Sequence, residues 1–237
     1  MAKRLEALRV QLAVVEILRL LRREMSYAEL EKVLGVPRSV LSLYATGARV
    51  PSASQAELML SRLLDDMLLA SIVASRLKST RSIADLEYVM LDSLVLRLAS
   101  AWAWRRYRGR VDVVLSAETI GVPLATMVAL ALEARLALAR RQPASPERSY
   151  VRGEGGGQPF GAKVFYVPRD DVGGGARVLL VDDLVRSGAT FEALADAVKK
   201  AGGVIVGALA VVAVGEEWRA RLERMGVEEA HVFLQLP

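Results

Sequence analysis

The stretch Val178-Leu179-Leu180-Val181-Asp182-Asp183-Leu184-Val185-Arg186-Ser187-Gly188-Ala189-Thr190 decides how the 237-residue chain is read. Four apolar residues run into two adjacent carboxylates, then a turn of small residues, then the start of a helix. An uninterrupted apolar run of this length, bounded by turn residues, predicts a strand buried on both faces, as in a parallel sheet. Main-chain N–H groups of Ser187–Thr190, with the positive end of the following helix, make an anion cradle. Gly188 admits a phosphate closely, and the Ser187 and Thr190 hydroxyls add hydrogen bonds. The paired acids suit sugar hydroxyls but would repel a phosphate set directly on them. A sugar phosphate spanning both features fits better than free phosphate, beyond the carboxyl ends of the strands.

Working outward, Val111–Leu115 is a short apolar run followed by a small-residue loop and a helix predicted to reach Arg140. Lys163–Val167, Arg177–Val181 and Val204–Val214 are strand candidates, with a helix at Thr190–Ala201 between the last two. Residues 141–161 hold three prolines and five glycines and are expected to form a long mobile loop. Strand alternating with helix implies an α/β domain, a parallel sheet with helices on both faces.

The segment from Val178 to Thr190 resembles the signature of the type I phosphoribosyltransferases, which bind phosphoribosyl diphosphate (PRPP) with Mg2+. The resemblance implies that Asp182 and Asp183 hold the ribose hydroxyls, and that Arg186, Ser187, Gly188, Ala189 and Thr190 wrap the 5′-phosphate. Ser116–Ala125, opening a helix after the first strand of the domain, looks like the same family's diphosphate loop. That assigns Ala117, Glu118, Thr119, Ile120 and Gly121 to the diphosphate, with Arg140 and Arg141 beside them, and makes residues 141–161 a lid. Arg186 stands where the family usually has a small residue. Orotate enzymes use a loop lysine, whereas this loop offers Arg140, Arg141, Arg148 and Arg152 and no lysine before Lys163. Turnover therefore stays open, and no catalytic residue is assigned.

Residues up to about 108 read as helical. Leu5, Leu8, Leu12, Val15, Leu18 and Leu20/Leu21 mark an amphipathic helix over Leu5–Arg23. Ser26 with Glu29 makes a capping box. Gly35 is a turn before a short helix to about Ala45, and a longer helix is predicted from Gln55 to Leu77. Tyr27–Gly47 resembles a repressor-type helix-turn-helix, with Leu30, Leu34, Val36, Leu41 and Tyr44 inward. Glu31 departs from that pattern, standing where a small residue is usual. Arg38, Ser39 and Ser42 then face a DNA major groove, with Arg49 on the backbone. Residues 1–110 carry 18 Lys/Arg against 11 Asp/Glu, a net +7, while residues 111–237 carry 14 against 16, a net −2. The basic half suits a polyanion or simply solvated helix faces.

A boundary near residues 72–80 divides a helix-turn-helix domain (1–75) from a phosphoribosyltransferase-like domain (76–237). That pairing resembles the archaeal orotate-phosphoribosyltransferase-like transcription regulators. It implies a homodimeric DNA-binding regulator with PRPP or a nucleotide as effector; the alternative is an active phosphoribosyltransferase acting on a purine or pyrimidine base. Trp102, Trp104 and Tyr107 fit a dimer contact, a ligand hood or the core. With no cysteine and one histidine, His231, disulfides, thiolate or His-based zinc sites and a Ser-His-Asp triad are not expected. A cytoplasmic location without a membrane partner is expected, since Val204–Val214 falls well short of the roughly 20 residues of a span.

Overall fold

A computed structural model describes residues 2–78, 86–157 and 161–237. The chain opens with helices α1 (Ala2–Leu21), α2 (Tyr27–Leu34), α3 (Arg38–Thr46), α4 (Ala53–Leu63), α5 (Asp66–Lys78), α6 (Leu86–Met90) and α7 (Ser93–Tyr107). Strands β1 (Val113–Ala117) and β2 (Arg135–Ala139) flank α8 (Val122–Leu132). A hairpin of β3 (Tyr150–Gly157) and β4 (Gly161–Pro168) leads to the short α9 (Arg169–Val172). The remaining elements are β5 (Arg177–Val185), α10 (Ala189–Ala201), β6 (Val204–Val214), α11 (Glu217–Arg224) and β7 (Ala230–Leu236).

The main sheet is parallel throughout, in the order β2-β1-β5-β6-β7, so the strand carrying the paired acids is central. Strand alternation assigns its side chains to two cores. Val114, Leu179, Val181 and Leu209 face α7, α8 and the N-terminal helices. Val113, Leu115, Val178 and Leu180 face α10 and the β3–β4 hairpin. This is the α/β arrangement expected, and among the described residues no helix is long and apolar enough to cross a membrane.

Several expectations are corrected. The helix predicted over Gln55–Leu77 is two helices, because the Asp65 carboxylate accepts the N–H groups of Met67 and Leu68 and starts α5 afresh. In α1 the buried set is Val10, Val14, Val15, Ile17, Leu18 and Leu21, so Val15, Leu18 and Leu21 of the expected row are inward while Leu5, Leu8 and Leu12 are exposed. Both rows are apolar, and the core selects the one with i, i+4, i+7 spacing from Val10. The helix predicted to reach Arg140 stops at Leu132, where Glu133 adopts a left-handed φ of 55°. Arg135–Ala139 then pairs with β1 as an edge strand. The first strand itself lies two residues later than the Val111–Leu115 run.

The second half of the predicted mobile loop, Tyr150–Gly157 and Gly161, belongs to the β3–β4 hairpin, and residues 158–160 lie outside the described residues. Its glycines let main chain lie directly on α10: a Cβ at Gly153 would stand 2.0 Å from the Ala193 carbonyl oxygen, and one at Gly155 2.3 Å from that of Ala189. Tyr107 is buried and takes the core role, whereas Trp102, stacked on His231 at 3.9 Å, and Trp104 are half-buried.

Candidate functional site

Strand β5 extends four residues beyond its predicted end, so both acids lie within it and not after it. Asp182 pairs in register with Ala210 of β6 and is only 7% exposed; Asp183 is half-buried. The Asp183 main-chain N–H donates to Asp182 Oδ1 at 3.0 Å. Burial pushes the Asp182 carboxyl well above the usual carboxylate range. The side chain of Asp183, by its hydrogen bond and its negative charge, pushes it the same way, while the Asp183 main-chain N–H and the Lys163 ammonium oppose them.

Asp182 opens onto a cleft of about 620 Å3 walled by Arg186–Thr190, Lys163 and the Gly215–Glu217 turn after β6. Gly188, with φ 77°, is the N-cap of α10 and has no side chain to cap it, and the Ser187 hydroxyl accepts the Ala189 N–H at 3.4 Å. The first-turn N–H groups of a helix have no intrahelical partner, so this turn offers donors to an anion. A Cβ on Gly188 would meet Trp218 Cα at 3.3 Å, so the turn is backed by α11. Trp218 Nε1 in turn donates to the Gly215 carbonyl at 3.1 Å. Arg186 is exposed at the rim, and Ser187 and Thr190 are half-buried.

The second predicted loop meets the first. Ala117 ends β1, the Glu118–Thr119 peptide is cis, and Ile120 is exposed before Gly121, the N-cap of α8. A Cβ at Gly121 would lie 2.9 Å from Asp182 Oδ1 and 3.0 Å from the buried Ser116 hydroxyl, so the loop's main chain abuts the acid. Glu118 accepts the Arg141 main-chain N–H at 3.1 Å and pairs with Arg140 at 3.6 Å. The Arg141 guanidinium lies over the Phe165 ring. Arg140 and Arg141 thus stand beside the loop, whereas Arg148 pairs with Asp171 and Arg152 with Glu154.

Lys163 was not assigned from sequence, yet it lines the cleft near Asp182. One signal could have found it. Lys163 is in phase with the buried Phe165 and Val167, and so lies on the inward face of β4. Glu192 fastens the surroundings. Its carboxylate accepts the Gly156 N–H at 2.7 Å and Arg221 Nη1 at 2.6 Å, joining hairpin, α10 and α11. Burial opposes these bonds, but they hold Glu192 below its ordinary value.

In the N-terminal region Leu30, Leu34, Val36, Leu41 and Tyr44 are all buried. The Ser26–Glu29 capping box is formed, and Gly35 takes a left-handed conformation between α2 and α3. Arg38, Ser39 and Arg49 are exposed and Ser42 half-buried; these four do not adjoin the cleft at Asp182.

Residues 93–232 match the phosphoribosyl transferase domain family. That match spans more than half of the chain, and the chain belongs to that family. Over 196 residues it is 29% identical to adenine phosphoribosyltransferase from Salinispora tropica, covering 81% of this chain and 97% of that one. It is 28% identical over 124 residues to a hypoxanthine/guanine phosphoribosyltransferase from Methanotorris igneus, of which it spans 61%. A crystal structure of adenine phosphoribosyltransferase from Rhodothermus marinus superposes with a TM-score of 0.55 at 28% identity, covering 62% of this chain and 83% of that one. The Leishmania donovani enzyme shares the fold at TM-score 0.57 and 18% identity, over 64% of this chain and 69% of that one.

Proposed function

We propose that the chain transfers a 5-phosphoribosyl group from PRPP to a purine base and releases diphosphate. The observation that carries this reading is the buried Asp182 at the floor of the cleft, with Gly121 against one side and the Gly188 turn beyond. Asp182 and Asp183 take the ribose hydroxyls, which donate to the two carboxyl groups. Arg186, Ser187, Gly188, Ala189 and Thr190 hold the 5′-phosphate through the first turn of α10. Ala117, Glu118, Thr119, Ile120 and Gly121 take the diphosphate, with Arg140, Arg141 and Lys163 neutralising it. As the bond from the anomeric carbon to diphosphate breaks, the acids below stabilise the positive charge that develops there.

Mg2+ fits this donor chemistry. Among the described residues no three His, Cys, Asp or Glu side chains gather as a metal cage. Asp182 and Asp183 would hold the ion together with the substrate's phosphate oxygens, as Mg2+ commonly binds. Bound there, it supplies charge neutralisation to the leaving diphosphate. The purine preference rests on the relatives' named activities, which support transfer over a purely regulatory role.

The test is diphosphate release from PRPP and Mg2+ with adenine, hypoxanthine, guanine and orotate in turn. A purine is expected to give turnover, and Asp182→Asn with Asp183→Asn to lower it by about a hundredfold or more. Absence of turnover with every base would overturn transfer.

A second reading, a homodimeric PRPP-responsive DNA-binding regulator, is favoured by one observation. Arg38, Ser39 and Ser42 present a polar face on α3, with the exposed Arg49 just beyond its end, while the opposite face of the helix is packed. On that reading residues 1–75 act as the DNA-binding domain and residues 76–237 as the sensor. One apolar core nevertheless runs from α1 through α7 to the sheet.

A further inference from the structure

A second pair of clefts lies at the other end of the molecule. One, of about 500 Å3, is bounded by Asp65 and Asp66 at the α4–α5 turn and by Trp102, Arg105 and Arg106 of α7. The other, of about 260 Å3, shares Asp66, Trp102 and Arg106 and reaches His231 at the start of β7. Since every strand of the main sheet is parallel, the amino end of β7 is opposite to the carboxyl ends of β5 and β6, where the Asp182 cleft opens.

Four observations describe what these clefts accept. Trp102 is half-buried, with the His231 ring stacked on it at 3.9 Å and 20°, which leaves an aromatic wall beside the larger cleft. His231 Nε2 is buried without a hydrogen-bond partner, 3.8 Å from Asp66 Oδ1. Burial holds this imidazole below its ordinary value, with Arg106 adding to that and Asp66 opposing it, so it stays neutral near pH 7. Arg106 is engaged by Glu229, whereas Arg105 is exposed and forms no ion pair among the described residues.

A flat heterocycle stacks on indole. The base takes the indole face away from His231, and an amine on its edge donates to the Asp66 carboxylate, which borders both clefts. A phosphate on the same molecule matches the free guanidinium of Arg105. We propose that these joined clefts form a second binding site, for a nucleoside monophosphate, between the N-terminal helices and the edge of the sheet. Its walls come from both α5 and β7, so an occupant bridges the helical region and the phosphoribosyl transferase fold.

The site is tested in the full chain with Trp104→Phe and Trp218→Phe, which leaves Trp102 as the only indole of the three. AMP, GMP and UMP are titrated against its emission. A saturable change is expected with at least one of them. Arg105→Ala is expected to raise Kd about tenfold, the loss of one charge-assisted contact, while Asp182→Asn with Asp183→Asn leaves it unchanged. No saturable change at millimolar nucleotide would overturn the proposal. So would a change abolished by the Asp182/Asp183 pair and kept in Arg105→Ala, or equal affinity for adenosine and AMP. Should the tryptophan replacements unfold the chain, equilibrium dialysis of labelled AMP decides. Two sites in the unmodified protein, one of them weakened about tenfold in Arg105→Ala, support the second site; a single site lost with the acids refutes it. Diphosphate release is read separately, so the transfer reaction and this site stand or fall independently.

Discussion

Replacing Gly153 by alanine isolates the packing of the glycine-rich hairpin on α10. The added Cβ would lie 2.0 Å from the Ala193 carbonyl oxygen, 2.8 Å from Ala197 Cβ and 3.0 Å from the Ala197 nitrogen. These are helix atoms that cannot swing aside, so β3 must lift until 2.0 Å becomes an ordinary contact of about 3.4 Å. Overpacking of this kind costs about 2–3 kcal/mol. For a chain of this size that lowers Tm by roughly 4–12 °C. The assay is thermal unfolding followed by circular dichroism, with Gly174→Ala as the comparison. Gly174 has no atom within 4 Å of its Cβ position but a φ of 64°, so its cost is only the left-handed conformation, about 1 kcal/mol. If residues 150–157 were instead a free loop, Gly153→Ala would stabilise the protein by about 0.4–1 kcal/mol through the unfolded chain. A Tm for Gly153→Ala at or above that of Gly174→Ala refutes the packed hairpin.

Asp182→Asn is expected to trade activity for stability. The folded-state pKa is raised, so the stability Asp182 contributes when protonated is lost as pH climbs from the ordinary carboxylate range through its raised value. The variant is expected to melt above the unmodified protein at pH 7 and level with it near pH 4, while diphosphate release falls; equal melting at pH 7 would contradict the buried-acid account. Asp112 behaves oppositely, because hydrogen bonds from the Arg177 guanidinium and main chain bring its carboxyl down to about 2. Its contribution is present above about pH 4 and fades as pH falls toward about 2. Asp112→Asn is therefore expected to lose stability at pH 6 with a gap that closes in acid, and a gap constant with pH would remove Asp112 from the account.

What could be read from the residues differs by element. β5 was legible because Val178–Val181 is apolar on both faces and no amphipathic alternative competes. The α2–α3 turn was legible because a capping box and a left-handed glycine are local devices. β2 was not: Arg135-Leu136-Ala137-Leu138-Ala139 is rich in helix-forming residues, and only pairing with β1 makes it a strand. β3 was hidden for a related reason, since glycine weakens a strand by itself and is tolerated here because α10 requires the absence of a Cβ. Within the site, the two loops flanking Asp182 were visible as motifs. Lys163 was not, because its position depends on the hairpin folding back. The outward-facing row of Leu5, Leu8 and Leu12 shows the same limit, as two apolar rows on one helix leave the choice to tertiary contact.

The central position of β5 determines when the acids can come apart. A strand hydrogen-bonded to neighbours on both sides and buried between two cores is among the last parts of a protein to open. Main-chain amides of Val178–Asp182 will exchange with deuterium only when the whole fold comes undone, so the two adjacent carboxylates keep their spacing for as long as the molecule is folded at all.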